Sequence, residues 1–358
     1  MREKPKGRRG NGVEEARQRL EGQQTRTEIL EDCKAAAAVT GSSGGTAGRQ
    51  MASGTKSDVQ RLLADVATGG SATAAACIFT NPLEVVKTRL QLQGEMQGCT
   101  TGAQPQRYKG VADAIVKMAR QEGAAALQKG LAPGMVYQVF MNGTRLGCYP
   151  TLKRILNTDG ADNFLQALGA GAISGALGAV AGSPFFMVKC RLQAQSTVSG
   201  VDGFQHHYKG MTDGLLKVWR GEGLAGLFRG VDGAVPRVMV GSAAQLASYD
   251  ACKRRLLASG VFQEGVLCHF GASMVSGLVV TTALNPFDVV STRLYNQPQG
   301  AARVYSGPVD CALKTARSEG FTGFYKGWFA HYCRLGPHTV LTLVFWEQTR
   351  RLARRCGF

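Results

Sequence analysis

The sequence predicts an all-α membrane protein in which six transmembrane helices form three related repeats about a pseudo-threefold axis. Three observations predict this fold. A proline-centred motif occurs three times, a pair of short glycine markers follows each copy, and long segments rich in small apolar residues lie before and after the markers. The motif prolines are Pro82, Pro184 and Pro286, each 102 residues from the next. A period of about 100 residues is too long for a solenoid and fits one object built from three homologous units.

The repeat boundaries follow from the motif and its markers. The motif reads PLEVVKTR at 82–89, PFFMVKCR at 184–191 and PFDVVSTR at 286–293. Glu-Gly pairs follow at 122–123, 222–223 and 319–320. A basic residue with a glycine follows each pair, at 129–130, 229–230 and 326–327. The chain is therefore predicted to divide into repeats at 58–157, 158–259 and 260–358.

Two segments in each repeat are rich in Gly, Ala, Ser, Val and Leu, and we predict one membrane helix from each. They lie at 66–86, 131–149, 165–188, 231–249, 266–290 and 328–346. Small residues let helix backbones approach closely where lipid offers no hydrophobic drive. The charges in these segments must face an interior cavity, because charge at bilayer depth is tolerated only there or in pairs. A soluble helical array is disfavoured because the segments lack a polar outer face at helical spacing.

Composition alone indicates a different class of protein. With 44% hydrophobic residues and a mean hydropathy of −0.09, the 358-residue chain is typical of a basic soluble protein. No uninterrupted stretch of about 20 apolar residues marks a simple membrane span. The net charge of +17 favours anionic partners, either lipid or substrate. Nucleic acid is not expected as a partner, because no clustered basic and aromatic face supports it.

Residues 1–57 are predicted to form a disordered basic N-terminal extension. Residues 1–56 hold 11 Lys and Arg against 7 Asp and Glu, with a Gly/Ser/Ala tract and little apolar periodicity. The acidic residues make this segment a poor cleaved presequence. The ten cysteines of the chain lack metal-ligand spacing, so neither a metal site nor a disulfide framework is predicted. No nucleophile, cofactor motif or phosphate loop suggests an enzyme.

The triplicated pattern P-x-[DE]-x-x-[KR]-x-[KR], followed each time by E-G and [KR]-G, resembles the mitochondrial carrier family over about residues 58–358. The resemblance implies a monomeric, multi-pass barrel of six transmembrane helices in the mitochondrial inner membrane. Each repeat would contain an odd-numbered helix kinked at the motif proline, a short matrix helix and an even-numbered helix. Repeats of this kind run parallel, related by an axis along the membrane normal.

The proline motif predicts a gate at the matrix end. Residues two and five after each proline share a helix face, so each helix presents them to its neighbours. The resemblance implies that the acid of one repeat pairs with the base of the next. Glu84 would then pair with Lys189, and Asp288 with Lys87.

The third position of the same gate departs from the pattern. Phe186 and Ser291 stand where an acid and a base are expected. A lone buried charge is costly, so joint loss of both charges is what electrostatics requires if these positions face each other. Gln91 and Gln193 match the glutamines that brace such pairs in the family, and Tyr295 replaces the third.

A second network is expected at the opposite, cytoplasmic mouth. The family pattern [FY]-[DE]-x-x-[KR] is intact at 249–253, nearly so at 346–350, and lacks its acid at Pro150. We therefore predict a weaker outer gate, one carboxylate short of three. Its predicted members are Lys153, Asp250, Lys253, Glu347 and Arg350.

Substrate specificity is expected from the middle of the cavity. The seventh residue after each [KR]-G glycine is Tyr137, Arg237 and Arg334 in turn. The arginines precede the outer acids by 13 residues, about 20 Å of helix, which predicts a position near the bilayer midplane. Two arginines and a phenol suit a small planar anion with two acidic groups. Three further residues are predicted to contribute: Gln138 and Val238 as neighbours, and Arg145 either as a third cation or as a partner of the outer gate.

Two further expectations come from the resemblance. The sequence RLGPHT at 334–339, together with Phe186, Ser291 and NQP at 296–298, is similar to the oxaloacetate/sulfate carrier group. This implies transport of a small organic or inorganic dianion by alternating access, through either exchange or proton coupling. An uncoupling-type proton or anion leak and a non-transporting receptor or scaffold are the alternatives. Cardiolipin is expected at six glycines near helix N-termini, where backbone N–H groups favour phosphate: Gly110, Gly130, Gly210, Gly230, Gly307 and Gly327.

Overall fold

A computed structural model describes residues 56–95, 108–156, 164–198, 203–258, 266–298 and 303–355. The predicted N-terminal extension lies outside these residues, except for its last two, which begin the first helix. The described part of the chain contains nine α-helices: α1 Lys56–Leu92, α2 Val111–Glu122, α3 Leu131–Leu156, α4 Phe164–Ala194, α5 Met211–Leu227, α6 Val231–Ala258, α7 Val266–Asn296, α8 Pro308–Glu319 and α9 Trp328–Arg355. The predicted all-helical class is confirmed.

Each repeat contributes two long helices and one short helix. The long helices α1, α4 and α7 contain the motif prolines in their interiors. Proline removes an i→i−4 hydrogen bond and bends the helix at that point. The long helices pack in chain order, and α9 packs back against α1, so the six of them close a ring.

The short helices α2, α5 and α8 pack their apolar faces on the motif helix of their own repeat. In the first repeat, Ala114 and Met118 are buried against Val85 and Val86. Val218 is buried with Val188 in the second repeat. Burying one large apolar side chain stabilises the fold by about 1.5–3 kcal/mol. This burial holds each short helix against the motif helix of its repeat.

The last arginine of each motif copy ties its repeat to the next one. Arg89 Nε donates to the carbonyl of Gln193 over 3.1 Å, and Arg191 Nε donates to the carbonyl of Tyr295 over 2.9 Å. Arg293 Nη2 closes the circuit on the carbonyl of Gln91 over 3.3 Å. All three guanidinium groups are buried. Buried backbone carbonyls need donors, so these arginines join the three repeats at the end of the ring where the proline motifs lie.

Two helices pass a simple test for membrane spans. Leu168–Ala194 and Gly271–Asn296 are long and apolar enough to cross a bilayer. The other four long helices carry more charge or lower hydropathy. All four nevertheless belong to the same closed ring of packed helices.

Candidate substrate cavity and its gates

The ring of long helices encloses a cavity of about 240 Å³. Its lining includes every residue predicted for the substrate site. The residues are Tyr137, Gln138, Arg145, Arg237, Val238 and Arg334. Four members of the predicted matrix gate that carry charge also line it, namely Glu84, Lys87, Lys189 and Asp288.

Two ion pairs cross the end of the cavity near the motif prolines. Lys189 Nζ lies 2.5 Å from Glu84 Oε2, and Lys87 Nζ contacts Asp288 Oδ2. Both pairs join different repeats, as the motif predicted. All four side chains are at most 15% exposed. A buried ion pair needs extra hydrogen bonds to offset the loss of water, and Gln91 Nε2 supplies one to Asp288 over 2.8 Å.

The two cavity arginines also contact the carboxylates of these pairs. Arg334 Nη1 lies 2.9 Å from Glu84 Oε1, and Arg237 Nη1 lies 3.7 Å from Asp288 Oδ1. Each carboxylate is therefore shared between a lysine of the gate and an arginine of the cavity. The four cations face two carboxylates, which leaves an excess of two positive charges in this cluster.

Aromatic rings occupy the place of the third ion pair. The Phe186 ring lies 4.9 Å from that of Tyr137 and 5.2 Å from that of Tyr295, measured between centroids. The Arg237 guanidinium lies 4.7 Å from the Phe186 centroid and donates to the Tyr137 hydroxyl over 3.3 Å. A cation over an aromatic face is attracted by the ring quadrupole. Phe186 therefore helps to hold the cavity arginine Arg237 in position.

Ser291, the predicted partner of Phe186, finds a different contact. Its hydroxyl donates to the carbonyl of Gly233 over 2.7 Å. The two helices approach closely here, since a Cβ on Gly233 would lie 3.4 Å from the Ser291 Cα. Direct facing of Phe186 and Ser291 stays a prediction.

The second predicted bracing glutamine has partners other than the gate pair. The Gln193 amide oxygen accepts a hydrogen bond from Thr88 over 2.9 Å, and its nitrogen donates to Asn81 over 3.4 Å. Tyr295, which stands at the third bracing position, shares a hydrogen bond of 3.1 Å with Ser183. Only Gln91 of the three bonds a charged gate residue directly.

Two histidines line the cavity although the sequence indicated no role for them. His331 Nδ1 lies 3.8 Å from Asp288 Oδ2 and is buried. His338 Nδ1 lies 3.2 Å from the Thr80 hydroxyl oxygen. Both histidines lie on α9, three residues before and four residues after Arg334. This helical spacing from a predicted site arginine was the signal available to find them.

The outer network falls largely outside the described side chains. Asp250, Glu347 and Arg350 lie on helices whose backbone is described, but their side chains lie outside the described set. Lys153 and Lys253 both make interactions. The weaker outer gate therefore stays a prediction.

The six glycines expected to bind lipid occupy two kinds of position. Gly110, Gly210 and Gly307 are the N-caps of α2, α5 and α8, with extended backbones. The other three precede α3, α6 and α9 with positive φ, as at Gly130, φ 74°. A Cβ on Gly130 would lie 2.9 Å from Gln193 Cγ, so close helix packing and the left-handed backbone both require glycine there. Turn geometry thus accounts for Gly130, and the lipid role is a separate proposal.

Comparison with known sequences identifies the family. The profile of the mitochondrial carrier protein family matches residues 58–160, 160–260 and 262–355. The chain belongs to the mitochondrial carrier family. Members of this family are transporters, and the three matched segments confirm the triple repeat.

Individual relatives resemble the chain over nearly their whole lengths. Solute carrier family 25 member 35 of Mus musculus is 44% identical, covering 80% of this chain and 97% of the relative. The mitochondrial oxaloacetate transport protein of Saccharomyces cerevisiae is 41% identical, covering 79% and 88%. Mitochondrial citrate transporter E of Aspergillus niger is 43% identical, covering 80% and 92%. The relatives agree with the oxaloacetate branch and carry more than one substrate name.

Proposed function

We propose that this protein moves a small dianion of the oxaloacetate, dicarboxylate or sulfate class across the mitochondrial inner membrane by alternating access. The observation that carries the proposal is the sharing of gate carboxylates by cavity arginines. Glu84 contacts both Lys189 and Arg334, and Asp288 contacts both Lys87 and Arg237. The same cations therefore serve the closed gate and the substrate site.

Charge balance favours a dianion. The cluster of four cations and two carboxylates has an excess of two positive charges, which one dianionic substrate would neutralise. Arginine suits this task because its planar fork binds a carboxylate in two-point geometry and stays charged. The phenol at Tyr137 leaves the threefold-related position without a third arginine, which disfavours nucleotides with several phosphates.

Substrate binding would open the matrix gate by competition. A substrate carboxylate that binds Arg334 withdraws it from Glu84, and the second acid group does the same at Arg237 and Asp288. Each gate carboxylate then keeps its lysine but loses one of its two cationic contacts, so the network that closes this end is weaker and opens more readily. A ligand shifts a two-state equilibrium only through differential affinity, and here the differential contacts are the arginine–carboxylate bonds that the substrate replaces. The outer network, with Asp250 and Glu347, would close as the matrix pairs open.

Arg145 extends the site toward the outer mouth. It lies on α3 two turns beyond Tyr137 and lines the cavity. Within the described residues, no carboxylate lies within 4 Å of it. A third acid group on a longer substrate would bind there, and Gln138 and Val238 would set the width of the site beside Tyr137 and Arg237.

The membrane arrangement is part of the same proposal. All six long helices would span the inner membrane, since they form one closed ring around a charged cavity. The polar cavity explains why four of them do not pass a simple hydropathy test. The protein would act as a monomer without nucleic acid or cofactor, and cardiolipin phosphates would bind at Gly110, Gly210, Gly307 and the start of each even-numbered helix.

Two other functions make different predictions. A leak carrier of the uncoupling type would conduct protons without net uptake of a dianion. A receptor or scaffold would bind a partner without transport, and its gate and cavity contacts would have no role.

Uptake by purified protein in liposomes tests the proposal. The panel is oxaloacetate, malate, malonate, sulfate, ADP and amino acids, each with and without internal counter-substrate and with an imposed pH gradient. Saturable uptake of at least one dianion is expected. Uptake that requires internal substrate indicates exchange, and uptake that the pH gradient drives indicates proton coupling. Uptake of ADP alone, or proton conductance without anion uptake, would refute the dianion carrier.

A further inference from the structure

His338 stands in the cavity wall next to the substrate arginine of α9. It lies four residues, about one helical turn, after Arg334 and lines the same cavity. Side chains four residues apart share a helix face. A substrate bound by Arg334 would therefore lie against the His338 ring.

The hydrogen bonds of Thr80 favour one position for the proton of the ring. The Thr80 hydroxyl donates to the carbonyl of Ala76 over 3.0 Å. A hydroxyl has one proton, so its oxygen acts as the acceptor toward His338 Nδ1, 3.2 Å away. Nδ1 therefore holds a hydrogen. In a neutral imidazole the other nitrogen, Nε2, is then an acceptor.

The ring edge with Nε2 is the one available to a ligand. Thr80 is not among the cavity-lining residues, whereas His338 is. Nδ1 thus bonds Thr80 on the side of the ring that faces away from the cavity. The described cavity wall already carries five cations against two carboxylates, and a neutral ring is the form that adds no further positive charge beside Arg334.

This acceptor differs from the cations that surround it. Arginine and lysine side chains only donate hydrogen bonds, so the groups that would bind the two carboxylates offer no acceptor to a substrate hydroxyl. A buried hydroxyl without a partner costs free energy, and a site built to accept its proton rejects analogues that lack it.

We infer that His338 binds a hydroxyl group of the substrate. The site therefore prefers a 2-hydroxy dicarboxylate over the unsubstituted dicarboxylate and the keto dicarboxylate of the same chain length. The inference rests on the proposed function and narrows its substrate class. Arg237 and Arg334 bind the two carboxylates, and His338 Nε2 accepts the hydroxyl proton. Thr80 positions the ring and fixes its tautomer.

The test compares malate with succinate, which differ by one hydroxyl, and with oxaloacetate, which carries a carbonyl at that carbon. Uptake rates at low concentration are measured in liposomes for the parent and for His338→Leu. The parent should prefer malate. In His338→Leu the malate-to-succinate ratio should fall roughly 3- to 10-fold, the loss expected for one hydrogen bond. The ratio is internal to each variant, so a change in overall rate does not affect it.

Two further variants sharpen the result. His338→Gln keeps an acceptor oxygen and should retain part of the malate preference. Thr80→Val removes the acceptor from Nδ1 and permits the other tautomer, so it should lower the ratio while the ring stays in place. Thr80→Val also gives a reading if His338→Leu fails to fold.

The outcomes separate this inference from the proposed function. If the parent takes up none of the three acids nor any other dianion, the proposed function fails. If the parent takes them up and the ratio is the same in His338→Leu and Thr80→Val, this inference alone is wrong. Equal losses for malate and oxaloacetate in His338→Leu would mean that the ring donates a proton, which also overturns it.

Discussion

At the closed end of the cavity, repeat 1 meets its two neighbours through ion pairs, whereas repeats 2 and 3 meet through aromatic rings. Glu84–Lys189 and Lys87–Asp288 form the ionic contacts. Phe186, packed against Tyr295, forms the aromatic one. An ion pair opens when a competing charge arrives, whereas the contact between the Phe186 and Tyr295 rings contains no ion pair for such a charge to break. Under the proposed function, we therefore expect substrate to act on two of the three contacts.

The same difference between ionic and uncharged partners appears at the last arginine of each motif copy. Glu122 binds Arg89 and Lys129, and Glu319 binds Arg293 and Lys326. In repeat 2, Arg191 donates instead to the Tyr208 hydroxyl over 2.8 Å. Glu222 pairs with Arg229 alone. Repeat 2 thus has Phe186 at the acid position of the gate and a tyrosine as the partner of Arg191, where repeats 1 and 3 use carboxylates.

The asymmetry also makes the two cavity arginines unequal. Arg334 lies 2.9 Å from its carboxylate and Arg237 lies 3.7 Å from its own. Arg237 is held instead by the Phe186 ring and the Tyr137 hydroxyl. Arg237 is therefore the less neutralised of the two cations.

The largest expected effect comes from removing one gate carboxylate. Asp288→Asn leaves Lys87 buried without its charge partner and takes the nearest carboxylate from Arg237. Breaking a buried pair in this way costs about 3–5 kcal/mol. Phe186→Leu is the matched change at the aromatic contact and should cost about 1–2 kcal/mol. Unfolding temperatures measured in detergent compare the two variants. An equal loss in both would contradict the assignment of an ionic contact to Asp288 and an apolar contact to Phe186.

An acid placed in the aromatic contact should convert it into an ionic one. Phe186→Asp puts a carboxylate beside Arg237, which should bind it and be withdrawn from substrate, so transport is lost. Adding Ser291→Lys supplies a competing partner and should restore much of the uptake. Uptake of the best dianion is the measurement. A double variant no better than Phe186→Asp alone would show that the two positions do not face each other.

A smaller effect is expected from the carboxylates below the gate. Burial opposes ionisation of Glu122, but hydrogen bonds from Arg89 and Ser196 outweigh it and lower the pKa of Glu122 from its ordinary 4.5 to about 2. Its stabilisation is therefore complete above about pH 4.5 and lost as the pH falls toward 2. Glu122→Gln should cost about 1–3 kcal/mol and lose this part of the acid sensitivity.

The matched variant below the gate is Glu222→Gln. It should cost less, because Arg191 does not depend on Glu222, and it should keep the part of the acid sensitivity that Glu122 contributes. Unfolding temperature measured from pH 7 to pH 3 gives both quantities. A larger loss in Glu222→Gln than in Glu122→Gln would mean that the repeats use these carboxylates alike.

The repeat, its helices and the two gate pairs could be predicted because they recur in the sequence at a fixed period. Acid and base positions three residues apart specify a shared helix face, which the structure bears out for Lys87–Asp288 and Lys189–Glu84. The partner of Phe186 could not be predicted in the same way. An apolar ring has no fixed complement, and its contacts with Tyr137 and Arg237 depend on how three helices converge.

The contacts between the gate carboxylates and the cavity arginines could not be predicted from the sequence either. Arg334 and Glu84 are 250 residues apart and belong to different repeats, so no spacing rule connects them. No sequence pattern indicates the role inferred for His338, because that role depends on the single proton of Thr80 across a helix interface. The arginines that join the repeats recur in each motif, but their backbone carbonyl partners appear only when the ring closes.

The central claim is that Arg237 and Arg334 bind the substrate in the cavity, and ligand-induced thermal stabilisation tests it most directly. The purified parent should unfold at a higher temperature when a transported dianion is present. Arg237→Ala and Arg334→Ala should fold but lose this shift, since each loses a charge-assisted bond worth roughly 1.5–3 kcal/mol. The lysine variants should recover little of it, and Tyr137→Phe should keep most of it. A full shift in both alanine variants would contradict the account and place the site elsewhere.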